Sequence, residues 1–112
     1  MPVHFYMKQN DTKPVLRVDL IDANDQAVTL TGATVKFSMR VEPAGAVKVN
    51  KATASIVDAV KGTVEYPWVA DGSDTNTSND YQGEFEVTFA GGAVQTFPGR
   101  SYIAIHLIDD VA

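Results

Sequence analysis

The strongest constraint on the fold is a period of two in the placement of apolar residues. In LTGATVKFSMRV (30–41), Val35, Phe37, Met39 and Val41 alternate with polar residues. Successive side chains of a β-strand point to opposite faces of the sheet. The alternation therefore predicts a strand with one face on the core and the other in solvent. No comparable helical period occurs along the chain.

Turn-forming residues separate further runs of the same kind. Apolar and polar residues alternate, fully or nearly so, over residues 16–20, 52–56, 64–68, 81–89 and 103–107. Between the runs lie segments that tolerate tight or positive-φ backbone, namely DAND (22–25), PAG (43–45), KG (61–62) and AGG (90–92). Gly91 and Gly92 predict a hairpin, because two-residue hairpin turns need positive φ.

About seven short strands with turns between them are typical of an all-β, antiparallel sandwich. The 112 residues predict a single domain over residues 1–112. A closed barrel is the alternative, which the unequal strands disfavour. Pro67 and Pro98 lack an amide proton and are expected at an edge, a bulge or a strand boundary. Tyr81 follows a polar segment at the start of a strand, as in a tyrosine corner, so we expect its hydroxyl to bond to backbone.

Composition excludes several classes of function. The chain has no cysteine, which removes disulfides, thiolate metal sites and cysteine nucleophiles. The net charge of −5 argues against binding to duplex nucleic acid, which requires clustered lysine and arginine. No apolar run approaches the roughly 20 residues that cross a bilayer. MPVHFYMKQNDTKP (1–14) also lacks the basic and apolar regions of a signal peptide. We therefore expect neither a nucleic-acid nor a membrane partner.

Two glutamates are the candidates for catalysis. Glu84 and Glu86 point the same way from one predicted strand, so their carboxyls would lie roughly 7 Å apart. That separation suits an inverting glycosidase. The favoured interpretation is a solvated sheet face, on which Lys36 and Arg40 pair with the two acids across strands. We therefore do not expect an enzyme.

The candidate metal ligands do not form a recognised motif. Asp71, Asp74, Asn76 and Asp80 gather oxygen atoms in DGSDTNTSND (71–80), and calcium takes six to eight oxygens. Their spacing does not match an EF-hand, which favours an exposed polar loop.

The only histidines, His4 and His106, lie at opposite ends of the chain. Two distant ligands make a weak case for zinc, and His106 is expected on an outward position of its strand. Neither a metal nor another cofactor is predicted.

Trp68 and Tyr102 are the candidate contact residues for a partner or a ligand. Trp68 is in phase with Val64 and Tyr66, which favours a place in the core. The alternative is an exposed indole that stacks on a sugar ring or a partner protein. Tyr102 is out of phase with Ile103 and the following strand, so we expect it to be exposed and available to a partner.

Several sequence segments occur in the same order as in a known protein family, and this resemblance extends over nearly the whole chain. The segments are NDTKPVLRVDLID (10–22), VTLTGATVKFSMR (28–40), ASIVDAVKGTVEYPW (54–68), YQGEFEVTF (81–89), VQTFP (94–98) and a closing strand at residues 102–107. In this order they resemble the N-terminal immunoglobulin-like domain of phage baseplate upper proteins and related tail proteins. The most specific parts are residues 30–33, 62–68, 81–89 and 96–98.

The resemblance implies an immunoglobulin-like β-sandwich that serves as a non-enzymatic assembly module of a bacteriophage or prophage tail, at the baseplate. Its partners would be other tail proteins, and a homo-oligomer is expected because tails are built on rotational symmetry. The protein would be made in the bacterial cytoplasm and lie in the virion. In the family this domain begins a longer protein, so for 112 residues we expect a docking or decorating role.

The alternative function is a carbohydrate-binding sandwich that contributes to host-surface recognition, because one fold hosts many kinds of site. Its contact residues would be Trp68 and Tyr102.

Overall fold

The computed structural model describes residues 3–111, which form nine strands. In chain order these are β1 (Val3–Lys8), β2 (Leu16–Asp19), β3 (Thr34–Val41), β4 (Val47–Thr53), β5 (Ser55–Asp58), β6 (Thr63–Tyr66), β7 (Asn79–Thr88), β8 (Val94–Phe97) and β9 (Ile103–Ile108). Over residues 3–111 there is no helix that could cross a membrane.

The strands form two sheets that enclose one core. The larger sheet has the order β1-β9-β7-β3-β4, and β8 also pairs with β7; the smaller sheet has the order β2-β6-β5. Strands β9, β7, β3 and β4 take the places of G, F, C and C′ of an immunoglobulin domain, and β2, β6 and β5 take those of B, E and D. The predicted immunoglobulin-like sandwich is confirmed, with nine strands instead of about seven.

The pair β3–β7 is the centre of the larger sheet. All eight residues of β3 pair with β7 in unbroken antiparallel register, from Thr34 opposite Thr88 to Val41 opposite Tyr81. The apolar faces of both strands meet the smaller sheet, and Phe37, Phe85 and Val64 are fully buried. The segment LTGATVKFSMRV is therefore a central wall of the core, as its alternation predicts.

Strands β4 and β1 depart from the period-two prediction. The run predicted over residues 52–56 is divided at Ala54: β4 ends in the larger sheet and β5 begins in the smaller one. Strand β1, with the sequence VHFYMK, has no clean alternation of apolar and polar residues. It runs parallel to β9, from Val3 opposite Ile103 to Lys8 opposite Ile108, whereas the other strand pairs described are antiparallel.

The predicted hairpin at Gly91 and Gly92 forms, but its turn is longer than two residues and, of the two glycines, Gly92 alone has a positive φ. The β7–β8 hairpin closes through hydrogen bonds from Phe89 N to Ala93 O and from Gly92 N to Phe89 O, both at 2.8 Å, with Gly92 at φ 94°. Gly62 has a φ of 71°, and a Cβ atom there would lie 2.7 Å from the carbonyl oxygen of Val28. Only glycine combines this backbone conformation with so close an approach.

The tyrosine corner is also confirmed. Tyr81 lies near the start of β7, is fully buried, and donates its hydroxyl to the carbonyl oxygen of Thr77 at 2.8 Å. Burial raises the pKa of the Tyr81 phenol. Pro67 and Pro98 directly follow β6 and β8, so both prolines lie at strand boundaries, as predicted.

Candidate functional site

Trp68 packs in the core, as its phase predicts. Its side chain is 5 % exposed, and its ring meets those of Phe37 and Tyr66 edge-on at centroid distances of 5.9 and 5.3 Å. The indole Nε1–H donates to the carbonyl oxygen of Pro14 at 3.0 Å. The indole is therefore in the core, as the favoured interpretation predicts, and is not exposed for stacking on a sugar or a partner.

Tyr102 occupies a different part of the molecule. It is half-buried just before β9 and lines a groove of about 330 Å³ on the outer face of the larger sheet. The groove is also lined by polar side chains, among them Ser38, Arg40, Asn50, Gln82 and Glu84. The Tyr102 hydroxyl lies 3.2 Å from a carboxylate oxygen of Glu42, to which it donates. The two predicted contact residues therefore do not form one site.

The outer face of β3 and β7 is a network of polar contacts, with partners that differ from those predicted. Lys36 lies opposite Glu86, but its ammonium donates to Thr53 Oγ1 at 3.0 Å. Glu86 instead lies 3.7 Å from the ammonium of Lys51. Arg40 donates to Gln82 Oε1 at 2.9 Å rather than to a glutamate. The face is exposed to solvent, as the alternation predicts. The predicted pairing of Lys36 and Arg40 with the two glutamates is wrong, because both side chains donate to other neighbours.

The acidic segment 71–80 is partly buried, so its prediction as an exposed loop is wrong for its middle. Asp74 is 8 % exposed and accepts hydrogen bonds from the Tyr66 hydroxyl at 2.7 Å and from Val69 N at 3.1 Å. Thr75 is fully buried and donates its hydroxyl to the carbonyl oxygen of Asp11 at 2.8 Å. These bonds join the loop to β6 and to the segment after β1.

The other candidate calcium ligands of this segment also have separate partners. Asp71 Oδ1 accepts from Ser73 N, which lowers the pKa of the Asp71 carboxyl. Asn76 Oδ1 accepts from the ammonium of Lys48 at 2.6 Å. Asp80 contacts His106. Within residues 3–111, no group of three or more histidine, aspartate or glutamate side chains could hold a metal ion.

Burial sets the chemistry of the Tyr66–Asp74 pair. Tyr66 is 3 % exposed, and its burial raises the pKa of the phenol far above its ordinary value; the hydrogen bond to Asp74 and the negative charge of Asp74 raise it further. The phenol therefore keeps its proton and donates it to Asp74, and this hydrogen bond holds the loop against the core. This role is structural.

The two histidines, distant in sequence, are neighbours in the fold. The parallel register of β1 and β9 places Tyr6 opposite His106 and leaves His4 on the diagonal. His4 Nδ1 lies 2.9 Å from His106 Nε2, and His106 Nδ1 lies 2.8 Å from Asp80 Oδ1. The Tyr6 and His106 rings stack at a centroid distance of 4.6 Å. We call His4, Tyr6, Asp80 and His106 the histidine cluster.

Sequence reasoning missed the histidine cluster because it missed β1. The available signal was the β-branched and aromatic content of VHFYM, which is typical of strands even without alternation. His106 does lie on an outward position of β9, as predicted, with its side chain 22 % exposed.

The two end strands of the order β1-β9-β7-β3-β4 differ in their ability to accept another strand. In β4, Ala52 and Val49 lie opposite Phe37 and Met39, so the edge contains an extra residue, and a second register shift follows. Such bulges, together with lysines such as Lys51, block pairing at an edge. Strand β1 pairs with β9 over six residues without a shift, and its other side has no partner strand among residues 3–111.

Comparison with known proteins gives no matching family model and no similar curated protein.

Proposed function

We propose that this protein is a non-enzymatic assembly module of a bacteriophage or prophage tail, at the baseplate, that binds other virion proteins. The order of sequence segments described above motivates the phage assignment, and the immunoglobulin-like sandwich agrees with it. The observation that carries the binding role is the regular, unbulged edge strand β1.

The surface around β1 supports this role. Val3 is 53 % exposed, Tyr6 59 % and Ile108, on the neighbouring strand, 44 %. An edge strand presents unpaired N–H and C=O groups, to which an extended segment of a partner can add as a further strand. Main-chain bonds then provide affinity, and the exposed apolar side chains provide complementary contacts. The partner is another tail protein or a second copy of this chain.

Virion labelling tests the assignment to a tail. Antibody raised to the chain, applied with gold to virions released by prophage induction of the source strain, is expected to mark the tail tip. Clean virions beside abundant free protein would overturn the assignment.

An edge variant then tests the binding surface. Tyr6→Lys places a charge on the open edge without touching the core and is expected to abolish incorporation into particles. Val60→Lys, at a turn residue that is 75 % exposed, is the matched control and should incorporate normally. Equal incorporation of both variants would exclude β1 as the contact.

The groove at Tyr102 favours carbohydrate binding as a second candidate function. The amides of Asn50 and Gln82, together with Arg40 and Glu84, are groups to which sugar hydroxyls bond, and the ring of Tyr102 is a surface on which a sugar ring stacks. The volume of the groove lies at the lower end of the range for ligand pockets. Glycan-array binding that is lost in Tyr102→Ala and kept in Tyr6→Ala would support this function. Because Trp68 is buried, its fluorescence is not a suitable reporter for the groove.

A further inference from the structure

We propose that two copies of this protein pair antiparallel through β1, about a two-fold axis that passes between their Phe5 residues. The proposed binding role of the β1 edge is the basis of this dimer, in which the partner is a second copy of the chain. Three features of β1 point to it: the position of its free main-chain groups, the symmetry of its side chains and the charge of its surroundings.

The free main-chain groups of β1 belong to alternate residues. Gln9 N, directly after the strand, donates to the carbonyl oxygen of the last residue of β9 at 2.8 Å. Because successive residues of a strand direct their N–H and C=O groups to opposite sides, those of His4, Tyr6 and Lys8 point away from β9, where residues 3–111 supply no partner strand. The carbonyl oxygen of Lys8 already accepts from Asp11 N at 3.3 Å. His4 and Tyr6 are therefore the residues that have both groups open to a further strand.

These two residues fix the register of a symmetric pair. In antiparallel strands, every second pair of directly opposite residues exchanges both of its main-chain hydrogen bonds. With the axis between the Phe5 residues, His4 of each copy lies opposite Tyr6 of the other, and both of these pairs can form such bonds. An axis at Tyr6 would instead require the carbonyl oxygen of Lys8, which already accepts from Asp11 N.

The side chains of β1 have the same symmetry. Around Phe5, the sequence VHFYM (3–7) has an aromatic ring on each side and an aliphatic side chain at each end. The antiparallel pair therefore places Val3 opposite Met7 on one face of the sheet and His4 opposite Tyr6 on the other. Val3 is 53 % exposed and Tyr6 59 % in the single chain, so the pairing covers apolar surface that is otherwise in water.

Charge also favours this contact between copies. The chain has a net charge of −5, so its copies repel each other overall. Strands β1 and β9 contain no aspartate or glutamate, and the nearby carboxylate of Asp80 is bound to His106. An axis one residue further along β1 would place the cation of Lys8 opposite His4 of the other copy. The axis at Phe5 therefore brings two acidic chains together where no like charges face each other.

Analytical ultracentrifugation of the purified protein is the first test. We expect a monomer–dimer equilibrium at concentrations below about 1 mM. The dissociation constant of the dimer should rise by at least about tenfold in Tyr6→Lys, which puts a cation opposite His4 of each partner copy. Val60→Lys is the matched control and should associate as the wild type does. A monomer up to about 1 mM, or equal association of Tyr6→Lys and the wild type, would overturn the proposal.

Disulfide cross-linking tests the register, because the chain has no cysteine of its own. Opposite residues that exchange main-chain bonds have Cα atoms about 5.5 Å apart, which is within the range that a disulfide spans. A mixture of the His4→Cys and Tyr6→Cys variants, oxidised with diamide, should therefore form the mixed dimer in excess of either homodimer. Val60→Cys, mixed with either variant, gives the background from random collisions. A mixed dimer no more abundant than this background would overturn the proposed pairing.

These measurements are separate from virion labelling. A protein that is monomeric in solution but whose gold label marks the tail tip would overturn the dimer and keep the tail assignment, with another tail protein at β1. A cross-linked dimer beside unlabelled virions would support the pairing and overturn the tail assignment.

Discussion

Asp74→Ala is the substitution with which the structure can be tested most sharply. The Asp74 carboxylate is 8 % exposed and holds two donors, the Tyr66 hydroxyl at 2.7 Å and Val69 N at 3.1 Å. Alanine removes both bonds. It leaves the Tyr66 hydroxyl without an acceptor in a place that water does not reach, because Tyr66 is 3 % exposed.

The expected loss follows from the two donors. A buried hydroxyl without a partner costs about 1–3 kcal/mol. Val69 is 41 % exposed, so its amide can turn to water and adds about 0.5–1.5 kcal/mol. The free energy of unfolding should therefore fall by about 1.5–4.5 kcal/mol. For 112 residues, the entropy of unfolding is roughly 0.24 kcal/mol/K, so each kcal/mol lowers Tm by roughly 4 °C and the total shift is roughly 6–18 °C.

Urea denaturation followed by fluorescence of Trp68 is the assay, with calorimetry for Tm. Asp74→Asn keeps an acceptor oxygen and should lose less than half as much stability as alanine. Asp71→Ala, in the same loop, should lower the midpoint much less than Asp74→Ala, because the Asp71 carboxylate is exposed and Ser73 N can donate to water in its place. An Asp74→Ala midpoint equal to that of the wild type would refute the argument that this bond anchors the loop.

Three further predictions concern the backbone and the buried phenols. Gly62→Ala should cost more than about 1.5 kcal/mol in urea denaturation, because of its positive φ and the approach to Val28 O, whereas Gly91→Ala, with open space around it, should be near neutral. Tyr81→Phe should cost about 0.5–1.5 kcal/mol by the same assay through loss of the corner bond, and no change would contradict that role. Because the pKa values of Tyr66 and Tyr81 are raised by folding, their contribution is complete below pH about 10 and is lost as pH rises through the folded values. Stability should therefore fall above pH 10 less steeply in Tyr66→Phe than in the wild type.

The strands of this protein that sequence analysis identified are those with one face on the core. Alternation specifies a strand wherever one side meets apolar neighbours and the other meets water. It therefore located β3 and β7 and placed Trp68 and the other in-phase aromatics correctly. The turn positions could also be predicted from local sequence, because Gly62 and Gly92 have the positive φ values that glycine in a turn segment suggests.

Tertiary structure decided the features that depend on which segments become neighbours. Strand β1 has no clean alternation, so only its pairing with β9 reveals that His4 and His106 are adjacent. The burial of Asp74 depends on the Tyr66 hydroxyl, and no local pattern reports such a partner.

The chain by itself determined the fold class, the core face of its main strands and its turns, because alternation and glycine conformation are local properties. The fold alone determined the histidine cluster, the groove at Tyr102 and the open edge. Each of these features brings together residues that are distant in sequence. The distances between their atoms depend on strand order and register, which are fixed by contacts that close long loops across the whole domain.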